Sequence, residues 1–212
     1  MDDQNTILLY HVGRTSPPRP LFFTDNDSSA EKDLKIWNAF RQGSREALDY
    51  IFKQHTSNLF AYGTRFTKDQ ELVLDCIQDL FVELWNRRQS LSETTSIKFY
   101  LLKSLRRRIA RTIHGAKRLE AITDDAQYLE EKMNFSVEHL LVLQEADQSR
   151  KASLKRAMEG LTRRQRESIY LKFFQGLNNE AISSVMSLSE ASVSTLVSQA
   201  IKALRVALPK KS

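Results

Sequence analysis

A single cysteine, Cys76, in 212 residues excludes an intramolecular disulfide and any thiolate cluster around a metal, and it fits a reducing compartment. Proline and glycine are scarce too, four and six, most of them before residue 64. The chain therefore has few of the turn signals that strands need, while long segments carry apolar residues at helical spacing, so the expected fold is all-α. No apolar run reaches the roughly 18 residues of a membrane-crossing helix. The opening Met1-Asp2-Asp3 lacks the basic, apolar pattern of a secretion signal, and the expected location is the cytoplasm. His11, His55, His114 and His139 are scattered, and there is no Gly-rich phosphate loop, no His-Glu-x-x-His pair and no nucleophile elbow. These absences point to no metal, no cofactor, no small-molecule substrate and no catalysis.

What the chain has in surplus is positive charge, +6 net with a pI near 9.4, which suits a polyanionic partner without demanding one. Its length suits two small helical modules. Residues 1–30, with Ser16-Pro17-Pro18-Arg19-Pro20 and Asp25-Asn26-Asp27-Ser28-Ser29, read as a flexible tail holding one apolar cluster, Ile7-Leu8-Leu9-Tyr10. Residues 31–114 form the first module, with helices expected over 34–41, 44–67, 69–85 and 96–113. Ser44 and Thr67 stand where caps belong. Residues 115–149 read as a linker. Residues 150–208 form the second module, with helices over 151–160, 162–175, 179–186 and 190–208.

Two helices of the first module carry opposite charge. Glu71, Asp75, Asp79 and Glu83 step by four along one stripe, while Val73, Ile77, Leu80, Phe81 and Leu84 cover the other arc. Leu72 and Val82 lie among the acids with Trp85 at the border, a mixture suited to a partner surface both basic and apolar. Residues 97–118 hold Lys98, Lys103, Arg106, Arg107, Arg108, Arg111, Lys117 and Arg118 and no acid. With Ile97, Leu101, Leu105, Ile109 and Ile113 as the inward stripe, Lys103, Arg107, Arg111 and Tyr100 face outward and Phe99 lies at an edge. Cations neutralise phosphates and exposed rings receive unstacked bases, so this face suits DNA.

In the second module, residues 179–186, the turn Ser187-Leu188-Ser189 and the helix from Glu190 have helix-turn-helix spacing. Val193, Leu196, Val197, Ala200 and Leu204 face inward, leaving Ser192, Thr195, Ser198, Gln199 and Lys202 outward, with Ser189 at the helix start. Ile169, Phe173 and Phe174 of the preceding helix are expected to pack on this pair, and Gly176 to end that helix.

Asp75-Cys76-Ile77-Gln78-Asp79-Leu80-Phe81-Val82-Glu83-Leu84-Trp85 resembles the Asp-x-x-Gln-(Asp/Glu)-x-Phe-x-x-x-Trp signature of region two in bacterial RNA polymerase sigma factors of the extracytoplasmic-function type. The resemblance implies that Asp75, Gln78, Asp79, Phe81, Glu83 and Trp85 bind core polymerase or pack behind that surface. It implies that the loop of residues 86–95, with Arg87 and Arg88, and the helix bearing Phe99, Tyr100, Lys103, Arg107 and Arg111 contact and melt promoter DNA by taking a base out of the stack. Arg107 stands where the family usually has Asn. The second module resembles region four through Leu161 to Arg166, Gly176-Leu177, Ile182, Leu188-Ser189, Val193, Ala200 and Leu204-Arg205. Departures are Thr162 for Pro, Ser183 for Ala and Ser187 for a turn Gly, together with a recognition helix poor in basic residues. The implied partners are core RNA polymerase, promoter DNA and a membrane-anchored anti-sigma protein.

Two other readings fit parts of the chain. A one-component helix-turn-helix regulator needs neither the acidic helix nor the separate basic-aromatic one. A sigma mimic that binds an anti-sigma protein without touching DNA has no use for Lys103, Arg107 and Arg111.

Overall fold

A computed structural model describes residues 27–114 and 148–208. The Ile7-Leu8-Leu9-Tyr10 cluster and nearly all of the expected tail and linker lie outside the described residues. Among the described residues all regular structure is helical. They fall into two compact units, one built from residues up to Tyr62 and Gln70–Arg108, the other from Ile109 onward with Gly63–Asp69.

The helices begin where side chains can satisfy the first backbone N–H groups, which have no partner inside the helix. Helix α1 (Ser29–Arg41) starts earlier than the apolar spacing predicts, because Ser28, inside the stretch read as tail, closes a reciprocal capping box with Glu31. Helix α2 (Arg45–Gly63) starts at Ser44, whose hydroxyl accepts from the Ala47 N–H at 3.1 Å. Helix α3 (Gln70–Arg87) follows a turn in which Thr67 accepts from the Asp69 N–H, and it ends in a 3-10 turn, Arg88–Ser90. Helix α4 (Ile97–His114) starts at Ser96, whose hydroxyl accepts from the Phe99 N–H.

The first unit's core is large and aromatic. Trp37, Phe40, Ile51, Leu59 and Tyr62 are buried with Val73, Ile77, Leu80, Phe81 and Leu84 of α3 and Ile97, Leu101 and Leu105 of α4. Each such side chain contributes about 1.5–3 kcal/mol on leaving water. Trp37 stacks at a tilt on Phe40 and Tyr100, with centroids 5.3 and 5.0 Å away, and Phe52 meets Phe81 edge-on at 4.9 Å. Arg106, counted in the sequence with the cations of α4, is buried.

His55 of α2 is half-buried, and its desolvation together with the nearby Lys98 ammonium pushes its pKa down to about 4. An unfolded chain binds this proton near pH 6.5 and the folded one does not, so acidification favours unfolding between those two values. The unfolding free energy is expected to fall as pH drops from 7 to 5. His55→Gln should flatten that part of the profile in denaturation curves recorded at each pH.

The second unit includes α5 (Gln148–Glu159), α6 (Arg163–Ile169) running into a π turn at Tyr170–Phe174, α7 (Asn179–Met186) and α8 (Glu190–Ala207). Thr162, where the family pattern has Pro, forms a full capping box with Gln165. The π turn corrects the expected packing of α6. Its wider turn, closed by the Gln175 N–H on the Tyr170 carbonyl, rotates the register so that Ile169 is buried, Phe174 is half-buried and Phe173 is 59% exposed. Gly176, at φ +69°, ends the segment as expected, and the Leu177 N–H reaches back to the Leu171 carbonyl.

Ser187 closes α7 in the left-handed conformation, φ 56° and ψ 45°. An L-residue is strained there by about 1–2 kcal/mol, partly offset by the extra freedom glycine has when unfolded. Ser187→Gly should therefore raise stability by about 0.5–1 kcal/mol, read as a higher denaturation midpoint; an unchanged or lower midpoint would contradict the strain.

Candidate nucleic-acid interface and partner surface

Helix α3 divides cleanly. Val73, Cys76, Ile77, Leu80, Phe81 and Leu84 are buried, and Glu71, Asp75, Asp79 and Glu83 are exposed along the opposite stripe. Gln78 and Trp85 are half-buried beside that stripe. Phe81, expected either to bind core polymerase or to pack behind that surface, is buried in the core. The sequence reading missed Leu74, which is 42% exposed and, with Val82 at 52%, puts two apolar groups among the acids. Counting in fours from Val82 through Gln78 to Leu74 would have found it.

Helix α4 divides as cleanly. Arg107 and Arg111 are exposed, while Phe99, Tyr100 and Lys103 are half-buried at the rim. The Lys103 ammonium lies 5.9 Å from the Phe99 ring centre. Burial, then the neighbouring Arg107, holds the Lys103 pKa below the usual lysine value. Tyr100 is less outward than the helical wheel suggests, because its ring leans on Trp37. In the segment before α4, Arg88 covers the Trp85 ring at 4.2 Å and donates to the Trp85 carbonyl at 2.7 Å, whereas Arg87 is exposed and pairs with Glu83 at 3.1 Å.

The acidic and basic helices are tied to each other by a residue that the sequence reading counted only as charge. Arg108 of α4 pairs with Asp79 at 3.2 Å and also with Glu83 of α3. It fixes the orientation of two carboxylates on the stripe, leaving Glu71 and Asp75 further along the same exposed face. Pairs this accessible contribute little to folding, about 0–1 kcal/mol. Arg108→Ala is thus expected to shift the unfolding free energy by less than about 1 kcal/mol in a denaturant titration; a loss of several kcal/mol would make the pair a structural keystone instead.

In the second unit, α8 buries Val193, Val197 and Ala200, with Leu196 and Leu204 half-buried, as the inward stripe requires. Ser192, Thr195, Ser198, Gln199 and Lys202 are all exposed. Some of their polar groups are already engaged within the unit. Ser189 caps α8, accepting from the Ser192 N–H at 3.2 Å, and the two hydroxyls lie 2.8 Å apart. Thr195 donates to the Ala191 carbonyl, and the Gln165 amide reaches Gln199 at 3.5 Å. Ser198 and Lys202 lie further along the exposed face, with Arg205 beyond them.

Two family models match the chain: sigma-70 region 2 over residues 51–119 and sigma-70 region 4 over residues 151–204. Together they take in more than half of it. CnrH, solved in complex with the cytosolic domain of CnrY, has a similar fold at a TM-score of 0.52 and 16% identity, over 82% of this chain and 95% of that one. The sigma factor RpoE of Bartonella quintana, solved with the anti-sigma factor NepR, gives a TM-score of 0.51 and 20% identity over 74% and 92% of the two chains. No curated protein matches the sequence. The chain belongs to the sigma-70 family and carries both region 2 and region 4. Its role is to bind core RNA polymerase and direct promoter recognition and initiation.

Proposed function

We propose that the division of labour in this sigma factor follows its charge. The α3 face of Asp75, Gln78, Asp79, Glu83 and Trp85, shaped from behind by Phe81, docks on core polymerase. The α4 face of Phe99, Tyr100, Lys103, Arg107 and Arg111, with Arg87 and Arg88 before it, contacts and opens the promoter. The α8 face of Ser192, Thr195, Ser198, Gln199 and Lys202, with the Ser189 cap setting its start, contacts the upstream element. Its hydroxyl and amide groups reach phosphates or base edges, and Lys202 supplies the charge. The observation that carries this reading is that one unit presents two outward faces of opposite sign, an acidic one studded with Leu74 and Val82 and an acid-free cationic one with aromatic edges.

The protein carries out no chemistry of its own and works in the cytoplasm. No helix among the described residues is long and apolar enough to cross a membrane. Its activity is held in check by an anti-sigma protein anchored at the membrane. Support for an inhibitor of this class comes from RpoE of Bartonella quintana, solved with an anti-sigma factor. The mimic reading is disfavoured because α4 keeps Arg107 and Arg111 exposed.

The test is initiation by core polymerase supplemented with the protein on a promoter selected from a randomised library. Asp75→Ala/Asp79→Ala should abolish binding to core. Lys103→Ala/Arg107→Ala should leave core binding intact, and should reduce the slope of log affinity for promoter against log salt by about two, the change expected for two lost phosphate contacts. Equal defects of both variants in core binding would overturn the division.

A further inference from the structure

Helix α1 lies outside both segments matched by the family models. Its residues Asp33, Trp37 and Arg41 step by four and therefore share one face. Trp37 and Arg41 reach the segment between α3 and α4, and Asp33 reaches the first residue of α4. The Trp37 indole N–H donates to the Ser92 carbonyl at 2.8 Å, from a side chain that is itself wholly buried. Arg41 meets Glu93 at 3.4 Å. The Asp33 carboxylate accepts from the Ile97 N–H at 2.9 Å, capping α4 from another helix. Burial raises the Asp33 pKa, and that hydrogen bond partly offsets the rise.

Further restraints come from the loop and its flanks. Leu91 is buried, Thr94 and Ser96 exchange hydrogen bonds at 3.1 and 3.2 Å, and Arg88 is fixed over Trp85. Gln89, Ser90, Ser92, Glu93 and Thr95 nevertheless stay exposed. The loop is thus tied through its backbone and anchors while its own side chains face solvent.

We propose that α1 is the positioning element of the promoter-opening loop, with Asp33 and Trp37 holding residues 91–97 in the presentation that receives an unstacked base. The inference rests on the loop role given under Proposed function. A loop already ordered loses little conformational freedom when a base arrives, so capture can help drive strand opening. Once the anchors are removed, that ordering cost falls on the opening step. Asp33, Trp37 and Arg41 need not touch DNA for this; they act through Ser92, Glu93 and Ile97.

The test uses full-length protein in holoenzyme, on a promoter that the wild type opens, with 2-aminopurine in the melted segment. Two templates are compared, one fully duplex and one already mismatched over that segment. Trp37→Phe keeps an aromatic ring and removes the N–H donor; Asp33→Ala removes the cap with the indole core intact; Asp33→Asn keeps an acceptor. Trp37→Phe and Asp33→Ala should each lower opening of the duplex about fivefold, the ratio a single hydrogen bond typically carries. Initiation from the mismatched template and binding to core should stay within about twofold, and Asp33→Asn should behave as wild type. Equal losses on both templates, or a parallel loss of core binding by Asp33→Ala, would make α1 ordinary scaffold and overturn the proposal, as would wild-type opening in both variants. Failure of the wild type on every promoter would overturn the sigma-factor reading and this one together.

Discussion

Everything in the first unit depends on one demand: α4 must bury an apolar stripe while keeping a row of cations in water. Ile97, Leu101 and Leu105 meet the first requirement, and Arg107 and Arg111 the second, with Lys103 half-buried at the rim. A cationic helix so close to a carboxylate-bearing one could collapse into neutral pairing across the whole face. Instead the ties are local. Arg108 takes Asp79 and Glu83, Arg87 takes Glu83 from within α3, and Glu71 and Asp75 of α3 and Arg107 and Arg111 of α4 stay exposed. The aromatic core of Trp37, Phe40 and Tyr100 fixes the spacing that makes this possible.

The same core links structure to the promoter-facing loop. Trp37 is at once the largest wholly buried side chain of the unit and a hydrogen-bond donor to the loop backbone. Because buried polar groups need partners, the indole N–H and the Ser92 carbonyl constrain each other, and the loop acquires a defined path without being buried itself. Packing in α1 and loop geometry are therefore one property.

Much of this was legible in the sequence. The four-residue stepping of Glu71 to Glu83, the acid-free run after Ile97 and the inward stripe of α8 each predicted the faces that the fold displays, since helical period alone determines which side chains share a side. What could not be read depended on neighbours distant in the chain. Asp33 capping α4 and Arg108 bridging to α3 join residues 64 and 29 positions apart, and no local pattern marks them. The exposure of Phe173 was missed because a π turn breaks the 3.6-residue period on which the wheel relies. The early start of α1 was missed because Asp27-Ser28-Ser29 reads as a turn until Glu31 is recognised as completing a capping box.

The central claim is that opposite faces of one small unit meet different partners at the same time. Photo-crosslinking side chains placed at position 78 on α3 and position 107 on α4, each in an assembled open complex, tests it most directly. The account predicts that position 78 crosslinks to polymerase and not to DNA, and that position 107 crosslinks to promoter DNA. A crosslink from position 78 to DNA, or from position 107 to polymerase alone, would contradict it.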